Sequence, residues 1–380
     1  MSACDRCLRR GLALELLSGH LETERGRIDD LLACPDEALV DAVAGRRADE
    51  LRRGLAAFDA DAQRARVAAA GLEVVCRCSR DYPPELLGLR APPAALYVSG
   101  PPRRLASLAA EPAVAIVGAR RASSYGIETA RSLASELAGA GLTIVSGMAL
   151  GIDGAAHAGA LQAASRPAQA AAGAPPGARG EIGATLAVLP GGADHPYPAS
   201  HRRLYTRIRD AGLVVSELPP GVRPRRWMFP ARNRIIAALS AITVVIQARS
   251  SSGALVTAGH AAQLGRHVGA VPGQVSSPLS GGPHRLMRDG AEVITDAQDV
   301  LDLLYGPGER SVADARRTWL EPTDAALLDA LDEGHEGQAA FVRAGLEPVQ
   351  GLEAVAALEL AGLVRRSPGG RLTVTAPRSR

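Results

Sequence analysis

The chain has no lysine: all 43 of its basic residues are arginine. That absence excludes a Walker phosphate loop, which needs a lysine at its helix start, and all chemistry on a lysine Schiff base. Aromatic residues make up only 3% of the 380 positions. No run of eighteen apolar residues occurs, and residues 1–11 are too charged for a signal peptide, so neither membrane insertion nor export is expected and the chain reads as cytoplasmic. Cysteine is scarce too, with Cys4, Cys7, Cys34, Cys76 and Cys78. The opening Cys-x-x-Cys invites a zinc reading, but the remaining pair lacks zinc-ribbon spacing. The five are therefore expected to be reduced thiols, with no metal and no cofactor.

What is present is a large apolar fraction, 47%, enough to bury a substantial core in two or three domains. The most informative stretch is Val114 to Gly126. Val114 to Val117 have the length and β-branching of a buried strand, and Gly118 follows where the backbone must turn. Ser123 and Ser124 stand at a helix start, and Ile127, Ala130, Leu133, Ala134 and Leu137 recur at helical spacing. Strand, tight turn and capped helix make an anion seat, to which Arg120 and Arg121 add charge.

Strand and helix patterns alternate from Ala113 to Leu304, which predicts a parallel sheet covered on both faces. Each loop at a strand's carboxyl end carries Gly with Ser, Thr, Asp or Arg, and in doubly wound sheets ligands bind along that edge. Residues 1–80 read as a small helical domain. Tyr82 to Gly100 reads as a proline-rich linker ending in an edge strand. Residues 81–304 form a Rossmann-like domain interrupted by a flexible surface insertion at 166–181, rich in Ala, Gly and Pro. A polar linker at 305–317 leads to a unit at 318–380, where three helical faces precede strand, Gly turn and strand. That order describes a winged helix with a basic tail.

Eight motifs, in order, carry a resemblance: YPPELL at Tyr82, VAIVGAR at Val114, IVSGMALGIDGAAH at Ile144, YPASHRRLY at Tyr197, VVSELPPG at Val214, FPARNRIIAALS at Phe229, SGALVTA at Ser252 and AVPG at Ala270. Together they resemble the DNA-processing protein A (DprA/Smf) family over about three fifths of the chain. The resemblance implies an extended Rossmann-like domain that binds single-stranded DNA, forms a homodimer and helps load the RecA recombinase in natural transformation. Matched by position, it implies DNA contacts at Gly118, Arg120, Ser123, Ser124, Ser146, Gly147, Gly151, Arg202, Arg203, Arg232, Asn233, Ser252, Gly253 and Thr257. Arg forks suit phosphate, and hydroxyls, amides and exposed Gly N–H groups donate to it. Asp153 would repel phosphate, so it is expected to cap its helix or orient a neighbouring Arg. His157 reads as a packed or hydrogen-bonded imidazole rather than a base, and Arg234 as loop support.

Four departures stand out: Ala199 where the family carries a basic residue, Gln247 where an acid often ends the strand, GPHRLM from Gly282, and no LPGVG-like hairpin near the N-terminus. Between Ala199 and Arg234 nine arginines face two acids, an electrostatic groove for a polyanion. Of Tyr125, Tyr197, Trp227 and Phe229, one or two are expected to stack on bases, with core packing the default for Phe229 and an equal alternative for Trp227. The C-terminal unit differs: residues 319–361 hold nine acids and one arginine, Arg343. It reads as a protein-contact module rather than a DNA reader.

A competing reading is a Rossmann-like enzyme that cleaves nucleoside monophosphates as an N-glycosidase. LPGG at Leu189 offers the start of that signature, yet it continues ADHPYP without the Gly-Thr pair or the Glu. No catalytic constellation is legible, and a binding protein without enzyme activity is expected. Leu255, Val256, Leu264, Val268 and Leu286 are expected to contribute an apolar patch to a dimer.

Overall fold

The computed structural model describes residues 3–100, 105, 111–164, 185–312, 320–361, 363–367 and 370–374. The expected insertion at 166–181, the linker beyond 312 and the last basic residues from 375 lie outside them.

Nine strands form one sheet: β1 Glu73–Cys76, β2 Ala95–Ser99, β3 Ala113–Val117, β4 Thr143–Ser146, β5 Thr185–Val188, β6 Leu213–Ser216, β7 Ile242–Val245, β8 His267–Ala270 and β9 Glu292–Val293. Their order is β1-β2-β6-β5-β4-β3-β7-β8-β9. From β6 to β9 every neighbour is parallel, while β1 and β2 add an antiparallel pair at one side. This is the mixed α/β fold, with a mostly parallel sheet, that the alternation predicts.

The reason lies in the strands themselves. All five residues of β3 are buried, so the sheet must be covered on both faces. Ala115 and Val117 point into one layer with Val145, Leu186 and Ile235. Val114 and Ile116 point into the other with Leu133, Leu137, Ile144 and Val244. On that second face the helices Ser124–Gly139 and Ile152–Ala164 pack so closely that a Cβ on Gly159 would overlap the carbonyl of Arg131.

Two expectations about the N-terminal third change. Glu73–Cys76, read as part of a helical region, is the sheet's edge strand, while β2 lies inside it between β1 and β6. A four-residue strand of mixed polarity gives no periodic signal, so the helical pattern before it masks it. Nor is Tyr82–Gly100 a free linker: Tyr82 is buried and donates its hydroxyl to the Pro93 carbonyl at 2.7 Å. The preceding helices enclose their own apolar cluster of Leu14, Leu17, Leu21, Leu31 and Leu39, which also takes in Trp227. The Trp227 indole N–H donates to the Ser18 carbonyl at 3.0 Å.

At the other end, helices Pro322–Asp332, Gly337–Arg343 and Pro348–Leu360 precede a hairpin of β10 Val364–Arg366 and β11 Leu372–Val374. They close over Leu327, Leu328, Val355, Leu358 and Val364. Among the described residues, no helix is long and apolar enough to cross a membrane.

Candidate functional site

From β3 the chain winds outward through β4 and β5 to β6, then restarts at β7 on the other flank of β3. Adjacent strand ends therefore send their chains to opposite faces, and a crevice opens between β3 and β7. A cavity of about 240 Å³ occupies it. It gathers seven of the expected contact residues: Gly118 and Arg120 after β3, Arg232 and Asn233 on the helix Met228–Ala238, and Ser252, Gly253 and Thr257 at the start of the helix Gly253–Gln263. Asp153 and Phe229 line it as well.

The floor is made of buried charge. Arg232 is 6% exposed, donates to the Val188 carbonyl at 2.7 Å, and lies against Gly147 so tightly that a Cβ there would overlap its guanidinium. Its Nε has no partner among the described residues. Burial pulls its pKa down to about 10, against the opposing field of Asp153. Asp153 is buried too, and burial holds its carboxyl above the usual range although Arg232 and backbone N–H groups work the other way. It accepts from the Gly147 N–H at 3.2 Å. So Asp153 pins the loop after β4 rather than serving as an N-cap, and it sits in the field of Arg232 as the orienting alternative requires. Ser146 is fully buried and donates to the Ile116 carbonyl at 2.6 Å.

His157 is buried one turn along. Thr185 donates its hydroxyl to the Ile144 carbonyl at 3.0 Å, so at the 2.7 Å contact His157 Nδ1 must donate to Thr185 and its Nε2 is left bare. Burial drives the His157 pKa down to about 3. A neutral packed imidazole is what the sequence leads one to expect. Arg234 likewise supports the loop, its Nη2 donating to both oxygens of Glu217 at 2.8 and 2.9 Å.

The mouth is different. Arg120 is exposed, with its guanidinium carbon 5.0 Å from the centre of the Phe229 ring. Tyr197, 39% exposed, meets the same ring edge-on at 5.5 Å. Phe229 is thus half-buried and lines the cleft rather than the core. Trp227, 1% exposed, is unavailable for stacking. Asn233 donates to the Gly253 carbonyl at 3.2 Å, tying the helix Met228–Ala238 to the start of the helix Gly253–Gln263. Ser252 caps the helix Gly253–Gln263, whose positive end opens into the cavity.

The other expected contacts stand apart from this lining. Ser123 caps the helix Ser124–Gly139 and bonds Gln247, whose side-chain oxygen accepts from the Ser123 N–H at 3.0 Å and whose amide donates to the Ser123 hydroxyl at 2.9 Å. The amide at 247 therefore does what a carboxylate could do only in part, since it also donates. Ser124 is exposed beside it, and Gly151 holds a left-handed turn with φ +79° against Ala119. Arg202 and Arg203 are exposed at the start of the helix Arg202–Ala211. Of the nine arginines between 199 and 234, Arg232 and Arg234 are buried, which leaves seven at the surface: Arg209, paired with Asp210, and Arg202, Arg203, Arg207, Arg223, Arg225 and Arg226. Sequence reasoning missed His201, whose Nδ1 lies 3.0 Å from the Met148 carbonyl and braces the same loop as Asp153. Its one signal was its place within YPASHRRLY.

Fold and cleft together define the class: an open, doubly wound α/β protein with a cleft at the sheet's topological switch point. Residues 73–305 match the family of the DNA recombination-mediator protein A, and the chain belongs to that family. A putative DNA processing protein DprA of Mycobacterium tuberculosis is 41% identical over 290 residues, covering 73% of this chain and 68% of the relative. The crystal structure of DNA processing protein A from Streptococcus pneumoniae superposes with a TM-score of 0.60 at 31% identity, covering 80% of this chain and 99% of that one. DNA processing protein A from Helicobacter pylori, whose structure was described for its single-stranded DNA binding mode, gives a TM-score of 0.51 at 28% identity over 62% of this chain and 97% of that one.

Proposed function

We propose that this chain binds single-stranded DNA along the mouth of the switch-point cleft, as a binding protein rather than an enzyme. The observation that carries the reading is Arg120: a solvent-facing guanidinium held over Phe229, beside the open N-terminus of the helix Gly253–Gln263. That arrangement offers a phosphate both a charged fork and the positive end of a helix, and it offers a base the exposed ring of Tyr197. The single-stranded DNA binding mode of the H. pylori relative supports it. The outer arginines Arg202 and Arg203 extend the positive track, and the groove attracts strand without reading its sequence.

From the family we further infer a cytoplasmic homodimer that passes the bound strand to RecA in natural transformation. A groove of about 820 Å³ lined by Leu255, Val256, Val268 and Leu286 supports the dimer, since the 43% exposure of Val256 leaves an apolar surface to cover. The C-terminal unit is assigned to protein contacts as a winged helix with an acidic face. Fluorescence anisotropy with two unrelated oligonucleotides, single-stranded and duplex, across a salt series tests the central claim. Tighter binding to the single strand, with the same salt slope for both sequences, is the expected result. Equal or tighter binding to duplex overturns it.

A further inference from the structure

We propose that Cys4, Cys7, Cys76 and Cys78 hold one zinc ion that ties the first helix to the edge strand of the sheet. The spacing of the cysteines argues against a metal, but the fold brings them together: all four sulfurs lie within 4.8 Å of one another. Cys4 Sγ and Cys7 Sγ stand 3.8 and 3.9 Å from Cys78 Sγ. Four sulfurs arranged tetrahedrally at a Zn–S distance of about 2.3 Å are separated by about 3.8 Å, so these separations suit one ion at the centre of the four.

Local structure explains the convergence. Cys4 is the N-cap of the helix Asp5–Leu16, and Cys7 is its third residue, with the Cys7 N–H bonded to the Cys4 carbonyl at 3.1 Å. A Cys-x-x-Cys so placed turns both sulfurs toward the positive helix end, where thiolates are favoured. Cys76 ends β1, and its carbonyl accepts from the Ser79 N–H at 2.8 Å, a tight turn that brings Cys78 back over the strand end. This turn does for a Cys-x-Cys pair what ribbon spacing does elsewhere. Around the sulfurs an apolar shell of Ala3, Leu8, Val67, Leu72 and Ala95 limits water access.

The thiols already differ among themselves. Burial would raise Cys4, but hydrogen bonds from Cys7 and Cys78 outweigh it and hold it below the ordinary thiol value, whereas burial pushes Cys7 well above. On binding, the four thiols release their protons to solvent and four thiolates enclose the divalent ion, leaving a doubly negative centre. Cys34 has no part in this site: its thiol donates to the Asp30 carbonyl at 3.5 Å.

The test is metal analysis of the full chain purified in reductant without chelator. Elemental analysis should give about one zinc per chain, released in step with titration of the thiols by a mercurial. Cobalt added to metal-stripped protein should give the intense visible bands of tetrahedral thiolate coordination. Cys34→Ser should keep the metal, while Cys7→Ser with Cys76→Ser should lose it. If that double variant does not fold, Cys78→Ser, at an exposed position, should lower zinc affinity at least tenfold in competition with a chelating dye. Zinc far below one per chain with no cobalt bands overturns the proposal. So does iron in place of zinc, an intact mass showing disulfides, or zinc retained in the folded double variant.

Discussion

The floor and the mouth of the cleft both present arginine, yet they are built on opposite principles. Arg232 is enclosed, with one arm on a backbone carbonyl, its face on Gly147 and a buried carboxylate in its field. Arg120 stands in solvent over an aromatic ring. Removing a buried charge leaves its partner unbalanced in a medium of low polarity, whereas removing an exposed one costs the fold little. The floor therefore shapes the loops that the mouth uses, and mutations in the two should separate stability from binding.

The largest effect is expected from Arg232→Ala. It strips the Val188 carbonyl of its donor and leaves Asp153 buried alone, so urea unfolding should show a loss of about 3–5 kcal/mol. A folded variant of unchanged stability whose salt slope on single strands falls would place Arg232 on phosphate and erase the distinction. Next comes Gly147→Ala, whose added methyl must displace the Arg232 guanidinium. Overpacking of this kind costs about 1–3 kcal/mol, and a neutral outcome in thermal denaturation would mean that the floor is plastic.

Acid probes the floor more gently. Burial drops His157 from 6.5 unfolded to about 3 folded, so below pH 6.5 the unfolded chain takes up a proton that the native one refuses. The stability due to the neutral imidazole is fully present above pH 6.5 and drains away as pH falls towards 3, by at most about 1.4 kcal/mol per pH unit. Asp153, raised in the fold, works the other way as acid is added, because the native state then binds its proton first. The His157 contribution is therefore read as the difference between wild type and His157→Gln, whose stability should fall less steeply between pH 6 and 4. Parallel curves would mean that the imidazole reaches water.

Arg120→Ala should be the mildest for the fold, within about 0.5 kcal/mol. Single-strand affinity should nevertheless weaken about tenfold for any sequence, with the slope of log affinity against log salt flatter by about 0.7. Arg120→Lys should restore the slope but only part of the affinity, because the planar fork is lost. If Arg120→Ala unfolds the protein instead, mouth and floor are one structural unit.

What was legible in the sequence follows from which signals are local. The strand β3 announces itself because five buried residues with a following glycine form a run, and the capping Ser123 sits at the spacing a helix start requires. The motif order also located the cleft, down to seven lining residues. Depth was not legible: the arginines of FPARNRII are written alike, and only the docking of the helix Met228–Ala238 puts Arg232 beneath the surface against β5 and the loop after β4, and Arg234 against Glu217 after β6. The sulfur cluster failed for a related reason. Cys4 and Cys76 are 72 positions apart, and their meeting depends on how a helix docks on an edge strand that itself gave no periodic signal.

The bond from Trp227 to Ser18 spans 209 positions. A ribosome adding about 5–20 residues per second needs roughly 10–40 s to cover that distance. From the addition of Leu39 onward, the surface formed by Leu17, Leu21, Leu31 and Leu39 lacks, for the rest of that interval, the indole that joins its cluster. A stall anywhere before Trp227 leaves the N-terminal helices with an open apolar face.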